Sequence, residues 1–379
     1  MTRTDHALRA RHVTIVGGGI GGLTAALALA QRGARVTVLE RAGQFREVGA
    51  GIQISPNAAR VLSALGLAER FRAVSAPNPT VTLRDQHGVP VLRMDMARFR
   101  PGQDFRTIHR ARMIELLDSA AREAGVEIRL DHPVETLPDA PLLIGADGLH
   151  SRVRSALNGL ETPFFTGQAA WRALVPLAPD AEPGAQVFLG PGRHLVSYPL
   201  AHGLRNIVAV EERSGWTAEG WSHADEPGNL RRAFAGFGGP VPGWLAQVTD
   251  CAIWGLHRHR VAERWHDDRR AILGDAAHPT LPFLAQGACM AIEDAWTVAA
   301  CLDADGDQYR ALARYQALRR DRCVRIVDAA TANARNYHLS GPRRLLGHAA
   351  LKTANRIAPR AVFERFAWVY DFDPTAVSG

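Results

Sequence analysis

Lysine is almost missing from this chain: Lys352 is the single lysine among 45 basic residues, and the rest are arginines. Cysteine is scarce too, with four in 379 residues (Cys251, Cys289, Cys301 and Cys323) and no two at C-x-x-C or C-x-x-x-x-C spacing. That pattern argues against a disulfide framework, a zinc knuckle and a dithiol redox centre. No uninterrupted apolar run reaches the roughly 18 residues of a membrane-crossing helix. The first dozen residues lack the basic-then-apolar layout of a signal peptide, so a cytoplasmic location is expected. There is no repeat, no low-complexity tract and no basic run interleaved with aromatics. The net charge of +7 therefore points to anionic small ligands, phosphates and carboxylates, and not to nucleic acid.

What is present is ordinary for a soluble enzyme, 46% apolar and 22% charged, and long enough for two domains. Near the start, the apolar run Val13-Thr-Ile-Val16 ends in GGGIGG, Gly17 to Gly22, and an Ala/Leu helix follows, closed by Gly33. The β-branched strand Arg35-Val-Thr-Val-Leu-Glu40 then ends in an acid. Strand, glycine turn, helix, strand and terminal acid together form the dinucleotide fingerprint in its full context. Gly17 makes the tight turn, Gly19 lets a pyrophosphate approach the backbone, and Gly22 lets the helix pack on the strand. The helix N-terminus faces the phosphates. Glu40, with Arg41 beside it, is placed at the adenosine end.

Farther on, the pattern reads as a helix from Asn57 to Leu67, a polar hairpin from Thr80 to Met94, and a helix from Ala111 to Ala124 stopped by Gly125. From Ala169 to Glu212 the texture turns β-rich, with Pro/Gly turns between strands, and beyond Glu293 it is helical. One stretch, LGDAAHPTLPFLAQGACMAIEDA from Leu273 to Ala295, sets Asp275 at a strand tip and opens a helix at Gly287-Ala288 a dozen residues later. That suits a large polar ligand lying across the sheet ends. GPGRHL and GFGGPVPG have glycines but no strand-to-helix context, so a single dinucleotide site is expected.

Three motifs now stand together: GGGIGG, GADGLHSRVR at Gly145 to Arg154, and GDAAHPTLP at Gly274 to Pro282. In this order the chain resembles the class A flavoprotein monooxygenases, the single-component aromatic hydroxylases of the salicylate and 3-hydroxybenzoate hydroxylase kind, over roughly residues 12 to 335. The resemblance implies FAD as cofactor, with NAD(P)H and O2 as co-substrates and no separate nicotinamide domain. It implies an α/β (α+β) fold: a Rossmann-type FAD-binding domain in three parts (1–78, 105–166 and 263–304), interrupted by antiparallel sheet at 79–104 and 167–262 and followed by a helical region at 305–379. It implies FAD contacts at Arg110, Asp147 and Asp275, and a helix N-terminus at Gly287-Ala288 facing the flavin ring. A reduced flavin is anionic on that side, so the positive end of a helix stabilises it. Gly51, in GAGIQISPN, falls on the loop beside the ring. Where relatives acting on hydroxynicotinate carry a histidine, this chain has Gln53, a departure that points away from a pyridine substrate.

On the strand RHLVSYP, His194, Val196 and Tyr198 share one face by the two-residue period. The His-x-x-x-Tyr-Pro pattern resembles relatives that hydroxylate phenolic acids, which implies His194 and Tyr198 as catalytic residues facing the substrate, with Gln53 and Pro282 also lining it. A phenol must lose its proton before an electrophilic oxygen attacks the ring, and a histidine suits that step. On residue reading alone, both are equally sheet-packing residues. Trp171-Arg172 reaches either the flavin, an anionic substrate or a salt-bridge partner. His278 reads as a loop-fixing residue, and the arginines at 319, 320, 322 and 325 as a solvated helix face. His257 and His259 have no third ligand nearby, so no metal site is expected. The expected function is hydroxylation of a phenolic carboxylic acid, with a homodimer as the expected assembly. The alternatives are another oxygenation, such as epoxidation or decarboxylative hydroxylation, or a flavin-binding redox module that does not turn over.

Overall fold

The computed structural model describes residues 7–45, 51–216 and 223–376. Residues Gly49 and Ala50 of the GAGIQISPN loop lie outside them.

A five-stranded parallel sheet is the base of the molecule, in the order Arg270–Ile272, Leu143–Gly145, His12–Val16, Arg35–Leu39, Glu127–Arg129. Its strands are short and apolar because helices cover both faces. The helix Ile20–Ala30 packs on it and is buried along almost its whole length, as its uniform Ala/Leu composition requires. The helices Arg110–Glu123 and Gly287–Ala304 lie against that first helix.

Over this base stands an eight-stranded sheet in the order His223–Asp225, Cys251–Arg258, Phe164–Pro176, Leu204–Glu212, Arg193–Leu200, Ala185–Gly190, Thr80–Asp85, Pro90–Asp95. All neighbours are antiparallel except Ala185–Gly190 and Thr80–Asp85. The sheet has two unlike faces. One buries Trp171, Phe188, Leu195 and Ile207 against Leu230, Phe234 and Leu245 of two short helices. The other, carrying Ala170, Val210 and Trp254, packs against Leu281 and Phe283 of the GDAAHPTLP region and Ala334 of the long helix Gln308–Tyr337. The first face is closed core. The second faces the edge of the nucleotide-binding half.

A small third sheet, Gly51–Ile54, Arg106–His109 and Ser75–Pro77, bridges the two. GPGRHL is the hairpin turn between two strands of the large sheet, and GFGGPVPG joins two short helices, so neither is a second nucleotide turn. The C-terminal helices place Phe363, Val369 and Tyr370 against Leu83, Leu92 and Met94 at the far end of the large sheet.

Candidate active site

The glycine turn is built as its three positions require. Gly17 has φ of +103°, and a Cβ there would lie 2.3 Å from the Ala146 carbonyl oxygen. At Gly22 a Cβ would lie 1.9 Å from the Gly17 oxygen, which only a bare backbone tolerates. At Gly19 nothing lies within 4 Å, so the backbone there borders open space. Glu40 accepts from Gly18 N at 2.7 Å and from Ala42 N at 2.9 Å, tying the end of its strand to the turn. Arg41, next to it, is exposed.

The helices Arg152–Asn158 and Gln308–Tyr337 are capped by the side chains of Ser151 and Asp307. The two aimed at the open space, Ile20–Ala30 and Gly287–Ala304, have no side-chain cap and no acid in their first turn. Their N–H groups and positive dipole ends are left for a ligand. Gly287 and Ala288 are half-buried at the second of these ends. Asp275 sits on a 3-10 turn, Gly274–Ala276, with an accessible carboxylate that protein surrounds on most sides. Burial raises its carboxyl above the usual range, while the charges of His278 and Arg110 pull the other way. Arg110, the first residue of its helix, is thus electrostatically joined to Asp275. Asp147 is occupied locally: it accepts from Ser151 Oγ and from Arg152 N, fixing the start of the next helix.

Two uncapped helix ends on helices that pack together, a glycine turn open at Gly19 and an accessible acid on the turn before the second helix offer groups that fit a long dinucleotide. The residues present fit FAD.

The antiparallel sheet meets this cradle at Gly51. The Tyr198 hydroxyl donates to the Gly51 carbonyl at 2.7 Å, and Gly51 N donates to Asn206 Oδ1 at 2.8 Å. A Cβ on Gly51 would strike both partners, at 2.7 Å and 2.9 Å. Burial also raises the Tyr198 phenol well above its ordinary range, so its proton stays on. Gln53, on the same short strand, accepts from Asn78 Nδ2 at 3.2 Å. Pro282 is exposed between buried Leu281 and Phe283.

The sheet face itself carries three cross-strand rows: Ala170, Val210 and His194; Arg172, Val208 and Val196; Leu174, Asn206 and Tyr198. Arg172 lies over the Trp254 ring at 4.1 Å, a cation–π contact that holds the guanidinium above the sheet. Trp171, its neighbour, points to the opposite face and donates to Asp225 at 2.6 Å, so it reaches no ligand on this side. His194 is fully buried between the rings of Phe283 and Tyr337, at 4.9 Å and 5.2 Å between centroids. Its Nδ1 lies 2.7 Å from His338 Nε2, while its Nε2 is buried with no hydrogen-bond partner. Burial first, then the neighbouring His338, pushes its pKa well below the ordinary value, so it rests as a neutral imidazole.

One expectation is overturned. Arg319 is fully buried and Arg322 nearly so, and neither belongs to a solvated face. Arg319 pairs with Glu293 at 2.5 Å and Asp294 at 2.8 Å, and Arg322 pairs with Glu293 at 2.8 Å. Arg325 lies over Trp368 at 3.9 Å. The physical reason is the helix Gly287–Ala304, which presents two adjacent buried acids to this side of Gln308–Tyr337 and can bury them only if they are paired. His278 bonds to the same Asp294, which also accepts from Gly274 N at 3.0 Å. Asn57 reaches Glu293 at 2.5 Å and Gln286 at 3.0 Å. This network locks the Asp275 turn and the Gly287 helix end together, a role that sequence reading assigned only to His278. Adjacent acids inside an otherwise apolar helix were the available signal. His278, Asp294 and Cys323 also bring donor atoms within 4.8 Å of one another, but Arg319 already supplies the cation there.

A parallel-sheet nucleotide fold beside a large antiparallel sheet, with one glycine turn open to a dinucleotide, defines a nucleotide-cofactor protein of the glutamate-ended fingerprint type. The family model described as "FAD binding domain" matches residues 10–139 and 134–330. The 3-amino-4-hydroxybenzoate 2-monooxygenase PtmB3 of Streptomyces platensis is 36% identical, over 96% of this chain and 97% of that protein. The 3-hydroxybenzoate 6-hydroxylase of Klebsiella oxytoca is also 36% identical, over 87% and 89% of the two chains. Among solved structures, a salicylate hydroxylase substrate complex matches with a TM-score of 0.80 and 25% identity, over 97% of each chain. Klebsiella pneumoniae HpxO complexed with FAD and uric acid matches with a TM-score of 0.81 and 25% identity, over 94% of this chain and 97% of that one. The chain belongs to this FAD-binding family, the class A flavoprotein monooxygenases, and its cofactor is FAD. No helix among the described residues is long and apolar enough to cross a membrane.

Proposed function

We propose that this enzyme hydroxylates a phenolic carboxylic acid with NAD(P)H and O2, that His194 takes the phenolic proton, and that Arg172 faces the carboxylate. Bound FAD, once reduced by NAD(P)H, supplies the electrophilic oxygen. The cofactor-holding residues in this reading are Gly17, Gly19, Gly22, Glu40, Arg41, Gly51, Arg110, Asp147, Asp275, Gly287 and Ala288. Gln53 and Pro282 border the substrate, and Tyr198 holds Gly51 in place.

The observation that carries the reading is the sheet face. A buried, neutral imidazole with an unpartnered Nε2 shares that face with a guanidinium two strands away. Two strand spacings across and two residues along put the two Cα positions about 12 Å apart, a span that a hydroxybenzoate bridges with help from both side chains. An unpartnered imidazole nitrogen accepts a proton, and the arginine fork matches a carboxylate. Phe283 and Tyr337 keep water from the ring. The named relatives act on hydroxy- and aminohydroxybenzoates, which agrees with this pairing.

A panel of hydroxybenzoates, scored for NAD(P)H oxidation, O2 uptake and product per NAD(P)H, tests it. His194→Ala is expected to keep FAD and to lose about 10²–10⁴-fold in hydroxylation rate. Full FAD occupancy with no O2 uptake on any phenolic acid would instead describe a redox module. A homodimer and a cytoplasmic setting accompany the proposal; size-exclusion chromatography with light scattering reports on the first.

A further inference from the structure

The helix Gly341–Ile357 has no fully buried residue, and its sequence, GPRRLLGHAALKTANRI, contains no acid. The want of acid reaches beyond the helix: between Asp328 and Glu364 there is no Asp or Glu, against six basic residues. The rest of the chain has 39 basic and 38 acidic residues, so nearly all of the net charge of +7 sits in this one segment. Three exposed large apolar side chains lie on the same helix, Leu345 at 66% exposed, Leu346 at 71% and Ile357 at 76%. Single exposed leucines are ordinary, but three such side chains gathered on one positively charged helix mark a contact surface. We infer that this helix is a docking surface for an anionic lipid bilayer, on which it lies parallel to the membrane plane without crossing it.

The helix has two unlike faces. Arg344, His348, Leu351 and Asn355, at steps of four, three and four, are all half-buried and turn toward the sheet. Leu351 packs against the cluster of Leu83, Leu92 and Met94, and Arg344 donates to Gln86 Oε1 at 2.7 Å. This face covers the edge strand Pro90–Asp95, which would otherwise leave its backbone open at the border of the sheet. Covering an edge does not explain the opposite face. There Leu346, Ala350, Thr353 and Ile357, again at steps of four, three and four, form an exposed stripe, with Leu345 and Ala349 beside it. A helix that only shielded the edge strand would carry polar residues on this side. By the helical period the exposed Lys352 and Arg356 flank the stripe on one side and the exposed Arg343 on the other.

The charge selects the occupant. A second copy docked through the same face would set two acid-free helices against each other, and like charges at close range oppose that contact. A nucleic acid would use the basic side chains and leave the leucines in water. An anionic bilayer uses both. Arg343, Lys352 and Arg356 reach the lipid phosphates while their aliphatic stems lie along the acyl boundary, and Leu345, Leu346 and Ile357 enter beneath the headgroups. Leu346 and Ile357 are about 17 Å apart along the helix axis, so insertion at both ends holds the helix flat. The chain then continues into Phe363 and Tyr370, which pack against the large sheet, so the docked helix brings the whole enzyme with it. None of its residues belongs to the cofactor cradle or to the sheet face that carries His194.

Flotation of the FAD-loaded enzyme with lipid vesicles tests this. The vesicles are phosphatidylcholine alone, or phosphatidylcholine mixed with phosphatidylglycerol. The parent is expected to float with the anionic vesicles at low salt, to stay behind with the neutral ones, and to lose most of its binding as ionic strength approaches about 1 M. Leu345→Gln, Leu346→Gln and Ile357→Gln made together should weaken binding about tenfold or more, although every basic residue remains. Lys352→Glu with Arg356→Glu should also weaken it about tenfold or more, although the apolar stripe remains. All five side chains are exposed, so both variants should keep the FAD content and melting behaviour of the parent, which separates lost docking from lost fold. A parent that does not float with anionic vesicles overturns the inference, as does equal binding to neutral ones. Flotation that survives the glutamine variant overturns it too, by showing attraction of charge alone. A parent dimer in light scattering that the glutamine variant splits, with no flotation of either, would assign the face to a second copy instead.

Discussion

Gly19 and Gly22 sit three residues apart on one turn, yet a methyl group added to each meets opposite surroundings. At Gly22 it enters the Gly17 carbonyl, at 1.9 Å, and must push helix from strand; at Gly19 it enters open space. Gly22→Ala is therefore expected to destabilise the protein by roughly 1–3 kcal/mol or more, the scale of overpacking, read as a lowered midpoint in thermal unfolding. Gly19→Val is expected to keep the parent's melting behaviour without cofactor and to purify colourless, because the added bulk fills the space where a pyrophosphate approaches. A yellow Gly19→Val protein with full FAD content would remove the glycine turn from the cofactor site. Tyr198 gives a similar contrast with His194 on the same strand. Its hydroxyl is committed to the Gly51 carbonyl, so Tyr198→Phe should lose about 1 kcal/mol of stability, read as a lowered midpoint in denaturant unfolding. Both glycine roles could be read from the local pattern, because turn, helix and strand lie within one short segment. The commitment of Tyr198 could not, since Gly51 is 147 residues away and nothing in either neighbourhood encodes the meeting.

Between the Gly287 helix and the long helix Gln308–Tyr337, the buried ions behave as a unit. Glu293 and Asp294 both stay ionised in the core: burial opposes this, but His278 and Arg319 hold Asp294 down at about 2, and Arg319 and Arg322 lower Glu293. Arg319→Leu leaves that negative charge uncompensated and is expected to cost about 3–5 kcal/mol, measured by denaturant unfolding. His278 supplies a pH dependence with a definite sign. Burial works against its proton, but Asp294 and Cys323 together override burial and raise its affinity well above the ordinary 6.5. A raised folded value stabilises fully below pH 6.5 and fades as pH climbs through the folded value. The stability gap between parent and His278→Asn should accordingly be widest below pH 6.5 and narrow as pH climbs above it; a gap that does not change with pH would mean that His278 is not charged in the fold. Asp294 contributes in the other direction, above its ordinary 3.8, and that part is lost as pH falls toward 2. None of this network was legible from helical spacing. Arginines at three-to-four intervals look the same whether they face water or two acids from another helix, and here the acids lie 25 to 29 residues upstream.

At the scale of the whole chain, the strands of the parallel and antiparallel sheets come from segments that alternate along the sequence, and the proposed FAD cradle draws on three of them. Asp275→Ala should weaken FAD binding by at least about tenfold, or 1.4 kcal/mol, whereas Asp303→Ala, beside Arg32 at 3.9 Å on the far end of the same helix, should not. Titrating apoprotein of each variant with FAD and following flavin fluorescence decides this; equal affinities would move the cofactor away from the Asp275 turn. The architecture was readable because each motif carries its own local geometry, and His338 was not, since its partners Glu212 and His194 lie 126 and 144 residues back along the chain. The clasp at Gly51 has a consequence for how such an enzyme acquires new substrates. Two hydrogen bonds, from Tyr198 and to Asn206, seat the sheet on the Gly51 strand, while the row between Tyr198 and His194 is made of Val196, Val208 and Arg172. Residues that fix the working distance and residues that choose the molecule are thus separate positions on one surface. On the proposed reading, selection can exchange the middle row, and so the substrate, while the clasp that seats the sheet is inherited unchanged.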